Sequence, residues 1–336
     1  MRFQLKKTEK LSSLNSLNLV TDIWTDAMMR SFIGFKVQGI SDDWKMVKAL
    51  LCCKQLVGSH TNESIFAAFL EITSEYKIEK KVFKILSDCA SNMIKAFDND
   101  HIGEYLENFL ELFESIEVCS ENTFELSQEL NEVSRISYTA HRLQLAINDA
   151  LAFDCAEDLI RKISYIINKG RHSCKIMDSL REAKKGSKTK NNTRWNSIFF
   201  MLKNFSNLKN EIRFDNEDRQ RMSELIQMLQ ELQIATDMLQ GDGVTISRII
   251  STLLTIIQKV DLKSSHENLA AKVFYFENMS KNLISSIKKR LDEVLVESIA
   301  AILNQNYSTT WIRPGERSSW VSKLKQMVEE IDDSGQ

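Results

Sequence analysis

Two aspartates stand where short apolar runs end, in Leu19-Val20-Thr21-Asp22-Ile23-Trp24-Thr25 and in Phe83-Lys84-Ile85-Leu86-Ser87-Asp88. Carboxylates at the ends of neighbouring strands can share a hard divalent cation, Mg²⁺ or Mn²⁺, which takes oxygen ligands in preference to sulfur or imidazole. Such ions activate water or a hydroxyl for attack on a phosphodiester and stabilise the leaving oxygen. A plainer reading stays open for each aspartate, as a turn or cap residue, with Asp88 capping a helix that starts near Ala90. A third acid is what would separate a working site from its remains.

The elements that must position this pair are legible in the first hundred residues. Leu17 to Thr25, Phe32 to Ile40 and Trp44 to Leu56 are successive strand candidates, joined by short polar turns that suit hairpins. A helix follows from Thr61, with Ile65, Phe69, Ile72 and Tyr76 at helical spacing, and Val82 to Ser87 is the strand that delivers Asp88. Beyond Asp100 the pattern changes. Ile102 to Phe113 can form a helix, and 114–134 reads as an exposed acidic loop or solvated linker, since no Lys or Arg occurs between Ala96 and Ser134. Arg135 to Ala140 is a short fifth strand candidate leading into a helix with Leu143, Ile147 and Leu151 on one face. From Cys155 onward the periodic segments are helical, including Met222, Leu225, Leu229, Leu232 and Ala235 on one helix and Ile249, Leu253 and Ile256 on another. A single proline among 336 residues fits so helical a body. The expected fold is therefore a mixed α/β core, incomplete at its C-terminal side, followed by a large all-α domain.

Composition narrows the function. A formal net charge of −2 excludes a bulk polycation, so nucleic-acid contact needs a local patch. The one stretch that offers it runs from Arg181 to Arg194, with Lys184, Lys185, Lys188 and Lys190 against a single acid, Glu182. Trp195 follows at once and could add a stacking surface, or could anchor its helix in a core. Six cysteines without a Cys-x-x-Cys read as reduced thiols. No run is apolar enough to span a bilayer, which leaves no membrane role.

Five ordered blocks resemble the hAT-superfamily transposases and their domesticated zinc-finger BED relatives: Val20-Thr21-Asp22-Ile23-Trp24-Thr25, Gly58-Ser59-His60-Thr61, Ser87-Asp88-Cys89-Ala90-Ser91-Asn92-Met93, Ala140-His141-Arg142-Leu143-Gln144-Leu145 and Thr193-Arg194-Trp195-Asn196-Ser197. The resemblance implies an RNase-H-like catalytic domain interrupted by a helical insertion, with Asp22 and Asp88 as the first two acids of an Asp-Asp-Glu triad and Mg²⁺ or Mn²⁺ as the cofactor of a functional site. It implies DNA contact at His141, Arg194 and Trp195, although the family's Cys three residues before the His is Tyr138 here. His141 has a bland alternative as a structural histidine at a helix start.

The third acid is the weak point of the resemblance. The family's Ser-Ala-x-x-Glu-Arg block is not found, and Glu316 lies in Pro314-Gly315-Glu316-Arg317, a loop ill suited to a metal ligand. No Cys or His precedes Leu14 to build a BED finger, and the family's C-terminal dimerisation segment is not seen. The expectation is a transposase-derived chain truncated at both ends, catalytically inactive, nuclear, and bound to DNA or to protein partners through its helical domain. Its rivals are an active metal-dependent DNA transposase or nuclease and a transposon fragment with no selected role. The expected boundaries are a tail at 1–13, an RNase-H-like domain at 14–152 and a helical insertion at 153–332.

Overall fold

The computed structural model describes residues 11, 14–98, 134–170, 195–207, 214–240, 246–264, 274–290, 300–304, 306, 308, 310, 312 and 314–334. The helix expected at 102–113, nearly all of the acidic stretch, and the basic residues Lys184, Lys185, Lys188, Lys190 and Arg194 lie outside them. Ser134 already opens a strand. The chain divides into two compact units, Met1–His141 and Arg142–Gln336.

The first unit is built on a five-stranded sheet of order β3-β2-β1-β4-β5. Strand β1 (Leu17–Thr25) pairs antiparallel with β2 (Ser31–Ile40), which pairs antiparallel with β3 (Met46–Leu56). On its other side β1 pairs parallel with β4 (Val82–Ser87), and β4 parallel with β5 (Ser134–Ser137). The alternation in β2 shows why it is a strand: Ile33, Phe35 and Val37 are buried, while Phe32, Gly34, Lys36 and Gln38 face the other side and are half-buried.

The buried face packs against α1 (Asn62–Tyr76), whose Ile65, Phe66, Phe69 and Ile72 join Leu17, Leu19, Phe35 and Ile85 in one core. Thr61 caps this helix, its hydroxyl accepting the Ser64 N–H at 3.3 Å, as the sequence suggested. Strand β3 starts at Met46 instead of Trp44 because Trp44 holds a left-handed turn conformation, φ 59°. The fifth strand stops at Ser137, and Thr139 begins α3 (Thr139–Leu151). A short helix, α2 (Ser91–Ala96), follows β4 and adds Met93 and Ala96 to the core.

The second unit is helical throughout its described residues. It comprises most of α3 together with α4 (Asp154–Gly170), α5 (Asn196–Ser206), α6 (Asn216–Gln240), α7 (Ile249–Ser264), α8 (Glu277–Arg290) and α9 (Arg317–Ser334). The break between the units falls in the first turn of α3. Its physical reason is packing: Leu143, Ala146, Ile147 and Ala150 bury among Leu159, Trp195, Leu225, Leu253 and Leu283 in the core of the helical unit. One tie within this core is side chain to backbone: the Glu224 carboxylate on α6 accepts the N–H groups of Phe274, Tyr275 and Phe276 at 2.9–3.0 Å and so holds the entry to α8.

Candidate functional site

Parallel registers bring the two aspartates together. Val20 is the partner of Leu86, and both chains run on in the same direction, so the next residues of the same face, Asp22 and Asp88, stand level with each other. The β4–β5 register extends the row. Ser87 is the partner of Ser137, which sets Tyr138 level with Asp88 on the far side. Three side chains, Asp22, Asp88 and Tyr138, thus occupy one level just beyond the last parallel pairs, Val20–Leu86 and Ser87–Ser137, on the carboxyl-end side where open α/β sheets bind ligands.

Tyr138 is the feature sequence reasoning passed over, having read it as a lost cysteine. Its hydroxyl donates to the Thr21 carbonyl at 3.2 Å, and its N–H donates to the Ser87 carbonyl at 3.0 Å, so one residue ties β1 and β4 to the end of β5. Burial, and then the negative charges of Asp22 and Asp88, push its phenol well above the ordinary range for tyrosine. It stays a neutral donor beside two carboxylates. The signal was available in the offset between parallel strands, but that offset needs the fifth strand's register, which four residues cannot fix from sequence.

Each aspartate is held from nearby. Asp22 is exposed on β1 opposite Gly34 of β2. Asp88 accepts the Ala90 N–H on one carboxylate oxygen at 3.0 Å, which braces the turn before α2; the helix itself starts from Ala90 as N-cap with no side-chain cap bond, so Asp88 acts as a turn residue and not as its cap. Arg135 donates to the Ser87 hydroxyl at 3.0 Å and to the Asp88 carbonyl at 2.9 Å, fixing the backbone from which the acid projects. His60, from another of the family blocks, lends its carbonyl to the Asn92 side chain at 3.0 Å.

An all-oxygen pair at strand ends fits one hard divalent ion completed by water or phosphate, since Mg²⁺ is commonly held by one or two carboxylates. Among the described residues no group of three or more His, Cys, Asp or Glu side chains is placed to hold a metal. When bound, such an ion would polarise a phosphate oxygen.

The remaining expected site residues fall elsewhere. His141 is half-buried in the first turn of α3. Trp195 is 1% exposed in the helical core, its ring 6.5 Å from that of Phe199, and its indole N–H finds no acceptor among the described residues. A fully enclosed indole offers no face to a base, so the anchoring alternative describes its place here. Glu316 is exposed in a 3₁₀ turn, Pro314–Glu316, that leads into α9 of the helical unit.

Comparison with known proteins points to the same fold. Residues 20–112 match the ZBED1 RNase-like domain. The chain is 27% identical to two Zea mays proteins, named AC transposase and AC9 transposase, over 204 residues, 58% of this chain but 23% and 22% of theirs. It is 25% identical over 143 residues, 43% of this chain and 15% of the relative, to the transcriptional regulator named tpeD of Talaromyces stipitatus. The chain thus spans less than a quarter of the length of these relatives. With a mixed sheet of RNase-H-like order and helices after it, the chain is similar to hAT-family transposases, and over residues 20–112 to the ZBED1 RNase-like domain.

Proposed function

We propose that this chain is a transposase-derived, DNA-associated nuclear factor that binds without cutting. The observation that supports the reading is the strand-end pair itself: Asp22 and Asp88 stand level on β1 and β4, and among the described residues no third His, Cys, Asp or Glu joins them to hold a metal. Two carboxylates can gather one cation and with it a phosphate. A two-metal cleavage site asks for more negative ligands than this row supplies. The named activities of the maize relatives and of the fungal regulator both involve DNA, and the shorter common denominator is binding.

A second reading, an active divalent-metal-dependent transposase or nuclease, is favoured by the survival of Asp22 and Asp88 on one face and in register. In that case a further acid, Glu316 or one from another chain, would complete the set. The deciding experiment incubates the purified chain with a supercoiled plasmid and with end-labelled duplex in Mg²⁺ or Mn²⁺. Intact DNA together with salt-dependent retention on a duplex supports the binding reading. Metal-dependent nicking that disappears in Asp22→Ala overturns it, and the loss of all DNA retention at low salt would move the proposal to protein partners.

A further inference from the structure

The helical unit carries a charged cavity that lies outside every family block. On α4, Asp158, Arg161, Lys162 and Tyr165 recur at helical spacing and so share one stripe. Asp218 and Arg221, from the first turns of α6, line the same cavity, whose volume is about 510 Å³. Tyr165 is exposed, so the cavity opens to solvent on that side.

Its charges are pre-set and unequal. Asp218 is 5% exposed, and its carboxylate accepts from Lys162 Nζ and, at 3.3 Å, from the Arg221 guanidinium. A second terminal nitrogen of Arg221 donates to the Cys155 carbonyl at 2.8 Å, so this guanidinium is held at two points. Lys162 also lies 5.6 Å over the Phe214 ring. One buried carboxylate thus serves two cations and leaves one positive charge over. Arg161 pairs with Asp158 at the exposed side, where such a pair contributes little and opens readily. Donors remain in excess as well as charge. An ammonium offers three hydrogens and a guanidinium five, more than Asp218 and one carbonyl can accept.

We infer that this cavity binds a phosphate group, held by Arg161, Lys162 and Arg221. A carboxylate, with two oxygens and one charge, does no more than Asp218 already does. Phosphate has further acceptor oxygens and more charge, and can meet donors from both helices at once. Asp218 is a positioning residue, since it orders two of the cations before the ligand arrives. The phosphate can come from a DNA backbone or from a free nucleotide, and the site needs neither Asp22 nor Asp88.

The test titrates the full chain with inorganic phosphate and with adenosine monophosphate by calorimetry, and with a dye-labelled duplex by anisotropy, all at one ionic strength set with NaCl. The wild type is expected to bind inorganic phosphate against this chloride background. Arg161→Gln and Lys162→Met should each weaken it about 10-fold or more, and Lys162→Arg should keep most of it. Asp158→Asn, which releases Arg161, should tighten it about 2- to 5-fold, a gain that misfolding cannot produce. Circular dichroism melts establish that the other variants are folded. A duplex affinity that falls in Lys162→Met, with inorganic phosphate competing in the wild type, supports the site and identifies its ligand as a DNA phosphate. Binding of adenosine monophosphate with duplex affinity unchanged in Lys162→Met supports it as a site for a free phosphorylated molecule. No wild-type binding of either small probe together with no competition against the duplex overturns the site, as do equal affinities in wild type and folded Lys162→Met. Duplex retention in that case leaves the DNA reading standing, whereas phosphate binding without any duplex retention removes the DNA reading alone.

Discussion

Replacing Tyr138 by Phe removes one hydroxyl from the strand-end row, and its effect can be worked through in sign and size. At pH 8 the wild type keeps a phenol that donates to the Thr21 carbonyl at 3.2 Å in a largely buried place. Losing that bond should cost about 1 kcal/mol, or about 2–4 °C in melting temperature for a chain of this size. The alkaline limb carries the more specific information. Because burial and two neighbouring carboxylates raise the phenol in the folded state, the unfolded chain gives up its proton near pH 10 while the folded chain keeps it. The folded state then binds more protons than the unfolded one, and stability falls by about 1.4 kcal/mol per pH unit from about pH 10 upward until the folded phenol titrates. Tyr138→Phe has no such group. Urea unfolding in EDTA at pH 8, 9, 10 and 11 should show a wild type that begins about 1 kcal/mol the more stable and loses this lead by about pH 11. Tyr76, also raised by burial, contributes equally to both proteins and cancels in the difference. Curves that decline in parallel across this range would mean the phenol titrates as an ordinary tyrosine and does not stand between the two acids.

Three further outcomes are expected. In EDTA, Asp22→Asn should stabilise the fold by about 0.5 kcal/mol through relief of like charge across the β1–β4 pair, and added Mn²⁺ should raise the melting temperature of wild type but not of the variant. Trp195→Ala should destabilise the helical unit by about 3–5 kcal/mol, read by circular dichroism melts, because it empties a fully buried site; Trp195→Phe should cost much less, and should leave DNA affinity at wild-type level once folding is matched. Glu224→Ala should cost about 1–3 kcal/mol by orphaning three backbone N–H groups at the entry to α8, with Glu224→Gln recovering part of it through the remaining carbonyl oxygen.

The sheet was readable because β2, and β1 as far as Thr21, alternate strictly. Ile33, Phe35 and Val37 on one face and turn residues at either end leave little freedom in β2, while β4 was readable as a short apolar run ahead of Asp88. The placement of Asp22 beside Asp88 was readable for the same reason, since each ends an apolar run. What sequence hid is what depends on pairing between distant segments. Tyr138 looked like a departure from a pattern, and only the β4–β5 register makes it a member of the row. Trp195 next to a basic run has the local signature of a nucleic-acid contact, and only the tertiary packing of α5 turns it inward. The core to which α3 belongs was hidden for a related reason: it follows β5 directly in sequence, yet its apolar stripe buries in the helical core.

The strand order has a consequence for the route by which the chain becomes structured. Strands β1, β2 and β3 form a meander closed by two tight turns, so each pairing joins near neighbours and closes a small loop. The parallel partners arrive from far along the chain, β4 some 65 residues after β1 and β5 about 50 after β4, and loop closure over such spans is entropically slower to reach. Asp22 therefore belongs to the early-forming half of the sheet, whereas Asp88 and Tyr138 join with the late one. The carboxylate pair exists only once the slowest contacts have closed, which ties any cation held there to the completion of folding and makes the ion a clasp on the last pairings to form.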